Sequence, residues 1–177
     1  MPSAFRLSSE KEDAVWDWVH QALGDVLDDE NIIWEKQNEY RPQPPYISLN
    51  IVSGPVKLGG QAELRHKTGD KFTVNAMKQV TISVTAYGGN DLNLIERVQD
   101  SLGTVTAKAL LRVAGLAVVS EEPIVSASAE IEGGFEERAS MDVILSYASS
   151  IEDEAGIIEH VELEGEVDDH TFTTTIN

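Results

Sequence analysis

The order of elements in this chain is decided by residues 32–51, which read IIWEKQNEYRPQPPYISLNI. Pro42, Pro44 and Pro45 fix φ and remove backbone donors, so this part of the stretch runs extended and cannot continue a helix or a central ladder. Its flanks have the composition of strands, with β-branched and aromatic residues at 32–34 and alternating apolar residues from Tyr46 to Val52. The sequence therefore predicts two strands joined by a rigid spacer.

Helical periodicity precedes this stretch and returns later in the chain. A capping-box pattern begins at Ser8, and the apolar stripe that follows predicts a helix to about Leu27; the stripe consists of Val15, Val19, Ala22, Leu23 and Val26. A second helix is predicted from Asp91, with a break at Gly103 and Thr104, and a third from Val105 to Val113. His20 falls on the polar side of the first helix and reads as a surface residue.

The longest strand signal runs from Phe72 to Tyr87. At roughly 3.3 Å per residue it is about 50 Å long, which exceeds the core of a domain this size, so we expect a projecting hairpin. Its tip would lie in the polar segment 57–70, after a break at Ser53-Gly54-Pro55. Further strands are predicted at 116–120, 124–131 and 139–147, with a loop at 149–156 and a last ladder that includes residues 161–167.

These elements predict the α+β class in a single domain over residues 1–177. The expected architecture is a mixed or antiparallel β-sheet packed against two or three α-helices, with the projecting long β-hairpin. We expect flexible ends at residues 1–7 and 170–177.

The composition narrows the possible partners. The chain has 177 residues, no cysteine and a net charge of −18, so disulfides and thiolate sites are excluded and gripping of duplex DNA is disfavoured. No apolar run approaches the roughly 18 residues that span a bilayer, and the start lacks a signal core, which predicts residence in the cytoplasm and no membrane partner. Residues 121–177 hold 16 acidic residues and one basic residue, Arg138, and so form a concentrated anionic region.

The sequence contains no recognisable arrangement of catalytic residues. The four histidines sit in no recognisable motif, and nucleophile elbows and phosphate-cradling glycine loops are absent from the sequence. Acidic clusters at 28–31 and 152–154 could attract a cation weakly, but they lack the spaced ligands and glycine of a dedicated loop. We predict no catalytic, cofactor-binding or metal residues, no cofactor, and a protein that is not an enzyme.

Two short segments of the sequence resemble those of a known protein family. The order Gln37-Asn38, Arg41-Pro42 and Pro45-Tyr46 leading into a strand, and later Glu137-Arg138-Ala139 before an acidic, apolar strand, resembles the neck or tail terminator proteins of tailed bacteriophages. The resemblance implies a virion protein, assembled in the host cytoplasm, that forms a homo-oligomeric ring, commonly a hexamer. The implied partners are the tail tube protein and a head connector or head completion protein, with genomic DNA passing through the ring unbound.

Three sets of residues are candidates for contacts in such a ring. The motif residues Gln37, Asn38 and Arg41 would buttress the sheet or the subunit contact. A basic cluster would meet an acidic neighbour, although it could equally be a solvated hairpin tip; it consists of Arg65, Lys67 and Lys71. Carboxylates on one strand face would line the channel, dock a basic ring partner, or simply face water; they are Glu162, Glu164 and Glu166.

A second hypothesis is a soluble ligand-binding or small enzymatic α+β domain. Its cleft would lie between helix and sheet around Trp34, Tyr40 and Tyr46, because aromatic residues beside prolines can form a recognition pocket.

Overall fold

The computed structural model describes residues 7–35, 41–58, 63–68, 71–131, 134–153, 161–167 and 170–176, with the backbone alone for 63–68, 131, 153, 161–167 and 170–176. The helices are α1 (Ser9–Leu23), α2 (Asp91–Ser101) and α3 (Val105–Val113), with a 3-10 turn at Asp29–Asn31. The strands are β1 (Ile32–Trp34), β2 (Tyr46–Lys57), β3 (Glu63–Thr68), β4 (Lys71–Tyr87), β5 (Leu116–Glu121), β6 (Val125–Ser126), β7 (Ala129–Ile131), β8 (Gly134–Glu136), β9 (Arg138–Asp153), β10 (Val161–Val167) and β11 (His170–Ile176).

The chain divides into two compact units. The first comprises Met1–Ala62 and Ala76–Ser149, and the second comprises Glu63–Asn75 and Ser150–Asn177. The single domain and the flexible ends at 1–7 and 170–177 stay predictions. No helix in the described ranges is long and apolar enough to cross a membrane.

The first unit is built on a mixed sheet whose main path runs β1-β2-β4-β9-β5. β1 is parallel to β2, with Ile32 opposite Ile47, and β2 is antiparallel to β4, with Tyr46 opposite Tyr87. β5 and β6 both pair antiparallel with β9. When β6 and β3, which belongs to the second unit, are counted, the described residues contribute seven strands to this sheet. Together with the three helices in the described ranges they confirm the predicted α+β class.

The core lies between the helices and one face of this sheet. Each helix buries the apolar stripe that its periodicity predicts, and alternate residues of β2, β4 and β9 supply the other side. The largest fully buried side chains are Trp18, Leu23, Ile47, Leu49, Ile82, Ile95, Leu111, Met141 and Leu145. Trp18 also donates its indole N–H to Ser101 Oγ at 2.8 Å, which ties α1 to α2 inside the core.

A short aromatic contact joins α1 to the start of β1. The Trp16 indole N–H donates to the carbonyl of Ile32 at 2.9 Å, and its ring stacks on His20 at 4.9 Å. His20 Nε2 lies 2.7 Å from Asp29 Oδ1. The His20 side chain thus connects α1 to the 3-10 turn, on the partly exposed side of the helix.

The predicted end of α1 is wrong. The helix ends at Leu23, where the Gly24 N–H donates to the carbonyl of His20 at 2.7 Å, and Val26 is 48% exposed. Ser8 occupies the N-cap position of α1 but makes no side-chain capping bond. Instead the Glu12 carboxylate accepts the N–H of Leu7 at 3.0 Å.

Two predicted strand ends are also wrong. β2 continues through Gly54 and Pro55, with register shifts near Ser53. β1 pairs only with residues 47–49 of β2, so Pro55 lies where its missing donor costs no ladder hydrogen bond. Likewise β9 extends to Asp153, through the start of the predicted loop, and the strand predicted at 124–131 is two short strands, β6 and β7.

The sheet positions that alternate with the core residues are polar and uncharged along β2 and β4. Ser48 lies opposite Thr85 and Asn50 lies opposite Ser83. Ser48 is buried and the other three are half-buried. We call Ser48, Asn50, Ser83 and Thr85 the hydroxyl face. These four residues carry no charge, whereas the chain as a whole has a net charge of −18.

The second unit contains β3, the first part of β4, the end of β9, and a separate hairpin of β10 with β11. β3 pairs with β4, which confirms the predicted long hairpin. β10 and β11 are antiparallel, from Val161 opposite Ile176 to Val167 opposite His170.

Candidate interaction surfaces

Two arginines and two tyrosines meet at one end of the β2–β4 ladder. Tyr46 begins β2 and Tyr87 ends β4, and their rings stack with centroids 4.7 Å apart and planes 9° apart. Arg41 Cζ lies 6.0 Å from the Tyr87 ring centroid, and Arg138 Cζ lies 5.9 Å from it. We call Arg41, Tyr46, Tyr87 and Arg138 the arginine–tyrosine cluster.

The cluster combines fixed positive charge with neutral aromatic rings. Burial raises the pKa of the Tyr46 hydroxyl, against the smaller opposing effect of the Arg41 guanidinium. Arg138 is held in place because its Nε donates to the carbonyl of Ala127 at 2.9 Å. Arg41 is exposed, so its guanidinium is available to a partner, and each cation–π contact at an exposed site contributes about 0.5–1 kcal/mol.

The proline spacer packs against the turn that follows Tyr87. Gly88 has φ +92°, and its N–H donates to the carbonyl of Glu137 at 2.9 Å. A Cβ at Gly88 would lie 2.6 Å from Pro44 Cβ and 3.3 Å from Pro45 Cα. Only glycine fits such a close approach in a left-handed conformation.

The structure therefore brings together residues from the two segments that carry the family resemblance. Arg41 and Tyr46 come from the first segment and Arg138 from the second, and all three contact Tyr87. Sequence reasoning missed Tyr87, although it ends the longest alternating run. The role of Arg41 in a subunit contact stays a prediction.

The remaining motif and basic candidates are only partly described. Gln37 and Asn38 lie outside the described residues. Arg65 and Lys67 lie on β3, where the backbone alone is described. Lys71 begins β4, and its Nζ lies 3.4 Å from Glu152 Oε2, with both side chains more than half exposed. An ion pair this exposed contributes little to stability.

The three acidic candidates occupy alternate positions of β10. In the β10–β11 ladder Glu162, Glu164 and Glu166 lie opposite Thr175, Thr173 and Thr171, respectively. Uncharged threonines are thus their cross-strand neighbours, and the lining of a channel by these glutamates stays a prediction.

A groove of about 740 Å³ runs between the 3-10 turn and the proline spacer. Asp29–Ile33 line one side and Arg41–Pro45 line the other. Trp34 and Tyr46 do not line this groove, and Tyr40 lies outside the described residues. Tyr46 is 3% exposed within its stack, so it does not offer the open aromatic surface that the second hypothesis requires.

A further surface on α3 was missed by sequence reasoning. Val105 and Val113 are both 85% exposed, on the side opposite the buried Ala107 and Leu111. The signal was present in the sequence, because valines at 105 and 113 fall two turns apart on a stripe distinct from the core stripe.

The comparisons with known proteins place the chain in a virion context. The family model described as "Phage neck terminator protein" matches residues 12–171, which include every residue of the arginine–tyrosine cluster. No match was found among curated proteins.

Proposed function

The chain belongs to the phage neck terminator protein family, and we propose that copies of it close into a ring at the head–tail junction. Family membership makes the protein a structural component of the virion that ends the tail and joins it to the head, and not an enzyme. Interactions with the tail tube and with the head follow from the same membership. The match over residues 12–171 is the observation that carries this conclusion.

A closed ring needs a heterologous interface, in which one patch meets a different patch on the next copy. The sheet supports this requirement because its two end strands are unlike. β1 is a strand of three residues at one end of the path, and β5 is a strand of six residues at the other. A hexamer is the stoichiometry that we propose, from the family resemblance.

Within this ring we propose that Glu162, Glu164 and Glu166 line the channel. Each copy would add negative potential there, so that DNA passes without adhering, because like charges suppress binding. The support is the charge distribution, since residues 121–177 hold 16 acidic residues and one basic residue.

The basic cluster would meet an acidic strand of the neighbouring copy. Lys71 already lies beside Glu152 of its own chain at 3.4 Å, and an exposed pair of this kind can exchange one carboxylate for another at little cost. Arg41 would contribute to the contact from the arginine–tyrosine cluster.

The ring is tested by light scattering coupled to size exclusion, followed by electron microscopy of the particles. Ring-sized particles are expected; a strict monomer at every concentration would contradict the proposal. The channel is tested by reversing Glu162 and Glu164 to lysine. If these residues line the channel, rings form but DNA adheres in a salt-dependent way. Loss of head joining without DNA adhesion would instead place the glutamates on a face that docks a basic ring partner.

A further inference from the structure

The two arginines of the arginine–tyrosine cluster converge on the same pair of rings. Arg41 Cζ and Arg138 Cζ lie 6.0 Å and 5.9 Å, respectively, from the centroid of the Tyr87 ring. Burial raises the pKa of the Tyr46 hydroxyl, and both guanidiniums oppose this effect. Two positive charges from distant parts of the sequence therefore meet at one end of the β2–β4 ladder.

Neither guanidinium has a carboxylate within ion-pair distance in the part of the chain that the structure describes. Arg138 donates from Nε to the carbonyl of Ala127 at 2.9 Å, which leaves its two Nη atoms without a described acceptor. The guanidinium of Arg41 is exposed and has no described acceptor either. Arg97 is different, because its Nη2 lies 2.6 Å from Asp25 Oδ1. Arg41 and Arg138 thus keep N–H groups that a ligand can use.

A single carboxylate is the ligand that fits these groups. The planar guanidinium offers parallel N–H donors that match the two oxygens of a carboxylate. Acidic residues also lie beside the rings: Glu136 adds a smaller effect to the burial that raises the pKa of Tyr46, and a Cβ on Gly89 would lie 3.8 Å from Glu137 Oε2. These two carboxylates repel a long polyanion such as DNA, whereas one acidic side chain brings only one charge to the arginines.

Charge also indicates where that carboxylate comes from. Each copy has 31 acidic residues against 13 basic ones, so two copies repel one another unless a basic group of one faces an acidic group of the other. Arg138 is the one basic residue among the 16 acidic residues of 121–177, and it lies beside Arg41 at the Tyr87 ring. Arginines without a described carboxylate partner in their own copy are suited to this contact.

We propose that Arg41 and Arg138 of one copy together bind one aspartate or glutamate side chain of the next copy, a contact that rests on the proposed ring. A basic patch that receives an acidic one joins two unlike surfaces, which is the kind of interface that a closed ring requires. The stacked rings of Tyr46 and Tyr87 hold the guanidiniums through cation–π contacts. Less side-chain freedom is then lost when the carboxylate binds.

The test measures self-association of the full chain by sedimentation velocity over a concentration series at constant ionic strength. Arg41→Gln and Arg138→Gln are compared with Arg112→Gln, which removes the same charge from an exposed position of α3. Each of the first two is expected to raise the dissociation constant about five- to tenfold above that of the control. Arg41→Lys keeps the charge but loses the parallel donors, so it should fall between the native chain and Arg41→Gln.

Two further measurements identify the ligand. If both arginines bind the same carboxylate, the losses of binding free energy in R41Q and R138Q do not add in the double variant; additive losses indicate two separate contacts and overturn the shared site. Replacing sodium chloride by sodium acetate at equal ionic strength should weaken association of the native chain but not of the double variant. No effect of acetate on the native chain overturns a carboxylate as the ligand.

The outcomes separate this contact from the ring itself. If the native chain forms rings and R41Q associates like R112Q, the contact is overturned and the ring stands. A short DNA duplex that binds the native chain but not R41Q makes phosphate the ligand and overturns the carboxylate. Circular dichroism checks that each variant folds, and if R138Q does not, R41Q and R41K against R112Q still decide. A native chain that stays monomeric at every concentration overturns the ring and this contact together.

Discussion

Replacing Gly88 by alanine is the sharpest test of how the proline spacer packs. Gly88 has φ +92°, and an added Cβ would lie 2.6 Å from Pro44 Cβ, far inside the 3.5–4.0 Å at which carbon atoms attract one another. The left-handed backbone costs a residue with a Cβ about 1–2 kcal/mol. Overpacking against neighbours that cannot rotate away adds about 1–3 kcal/mol. We therefore expect Gly88→Ala to lower the free energy of unfolding by roughly 2–5 kcal/mol.

Gly115→Ala separates the two contributions. Gly115 has φ +72°, but nothing lies within 4 Å of its added Cβ, so this variant should lose the backbone contribution alone, about 1–2 kcal/mol. Gly134 does not have a left-handed φ, and an added Cβ there meets no described atom within 4 Å, so Gly134→Ala serves as the baseline. Urea unfolding followed by far-UV circular dichroism gives all three values, provided that the m-values agree. Equal losses for Gly88→Ala and Gly115→Ala would refute the close approach to Pro44.

Three further predictions address the core, the surface charges and the cluster. Ser101→Ala should cost about 1–3 kcal/mol in urea unfolding, because the Trp18 indole N–H loses its acceptor at 2.8 Å; an unchanged midpoint would contradict this. The hydrogen bond from Arg97, 2.6 Å away, lowers the pKa of Asp25 from 3.8, so its stabilisation is full above that pH and is lost as pH falls through the folded pKa. Arg97→Gln should raise that pKa in an NMR titration, and no change would show that Arg97 is not the cause. Arg41→Ala should reduce ring formation more than it lowers Tm; equal loss of both would contradict a contact role.

The sequence predicts the bounds of a helix or strand correctly where nearby residues determine both of its ends. α3 has the predicted bounds because Thr104 Oγ1 accepts the N–H of Ala107 at 3.2 Å at one end and Gly115 takes a left-handed φ at the other. β2 shows the opposite case, since Gly54 and Pro55 signal a break but pairing with β4 carries the strand past them. A register that depends on a distant strand cannot be read from either segment alone.

The same reasoning explains which parts of the candidate surfaces were predictable. Arg41 and Tyr46 could be singled out because they lie in one continuous run, and Arg138 lies in a second. Their meeting at Tyr87 depends on the antiparallel register of β2 with β4, which no periodicity gives. The exposed Val105 and Val113 form a second apolar stripe that the sequence of α3 does contain, but it was overlooked because an apolar residue on a helix is usually expected to face the core.

The hydroxyl face of β2 and β4 has a consequence for how an assembled particle responds to solution conditions. Ser48, Asn50, Ser83 and Thr85 carry no ionisable group, so a contact made there through neutral hydrogen bonds is not weakened by counterions. Contacts between oppositely charged side chains lose strength as ionic strength rises. Raising the salt concentration should thus weaken the contacts between charged side chains of the particle first, and any contact on the neutral face last.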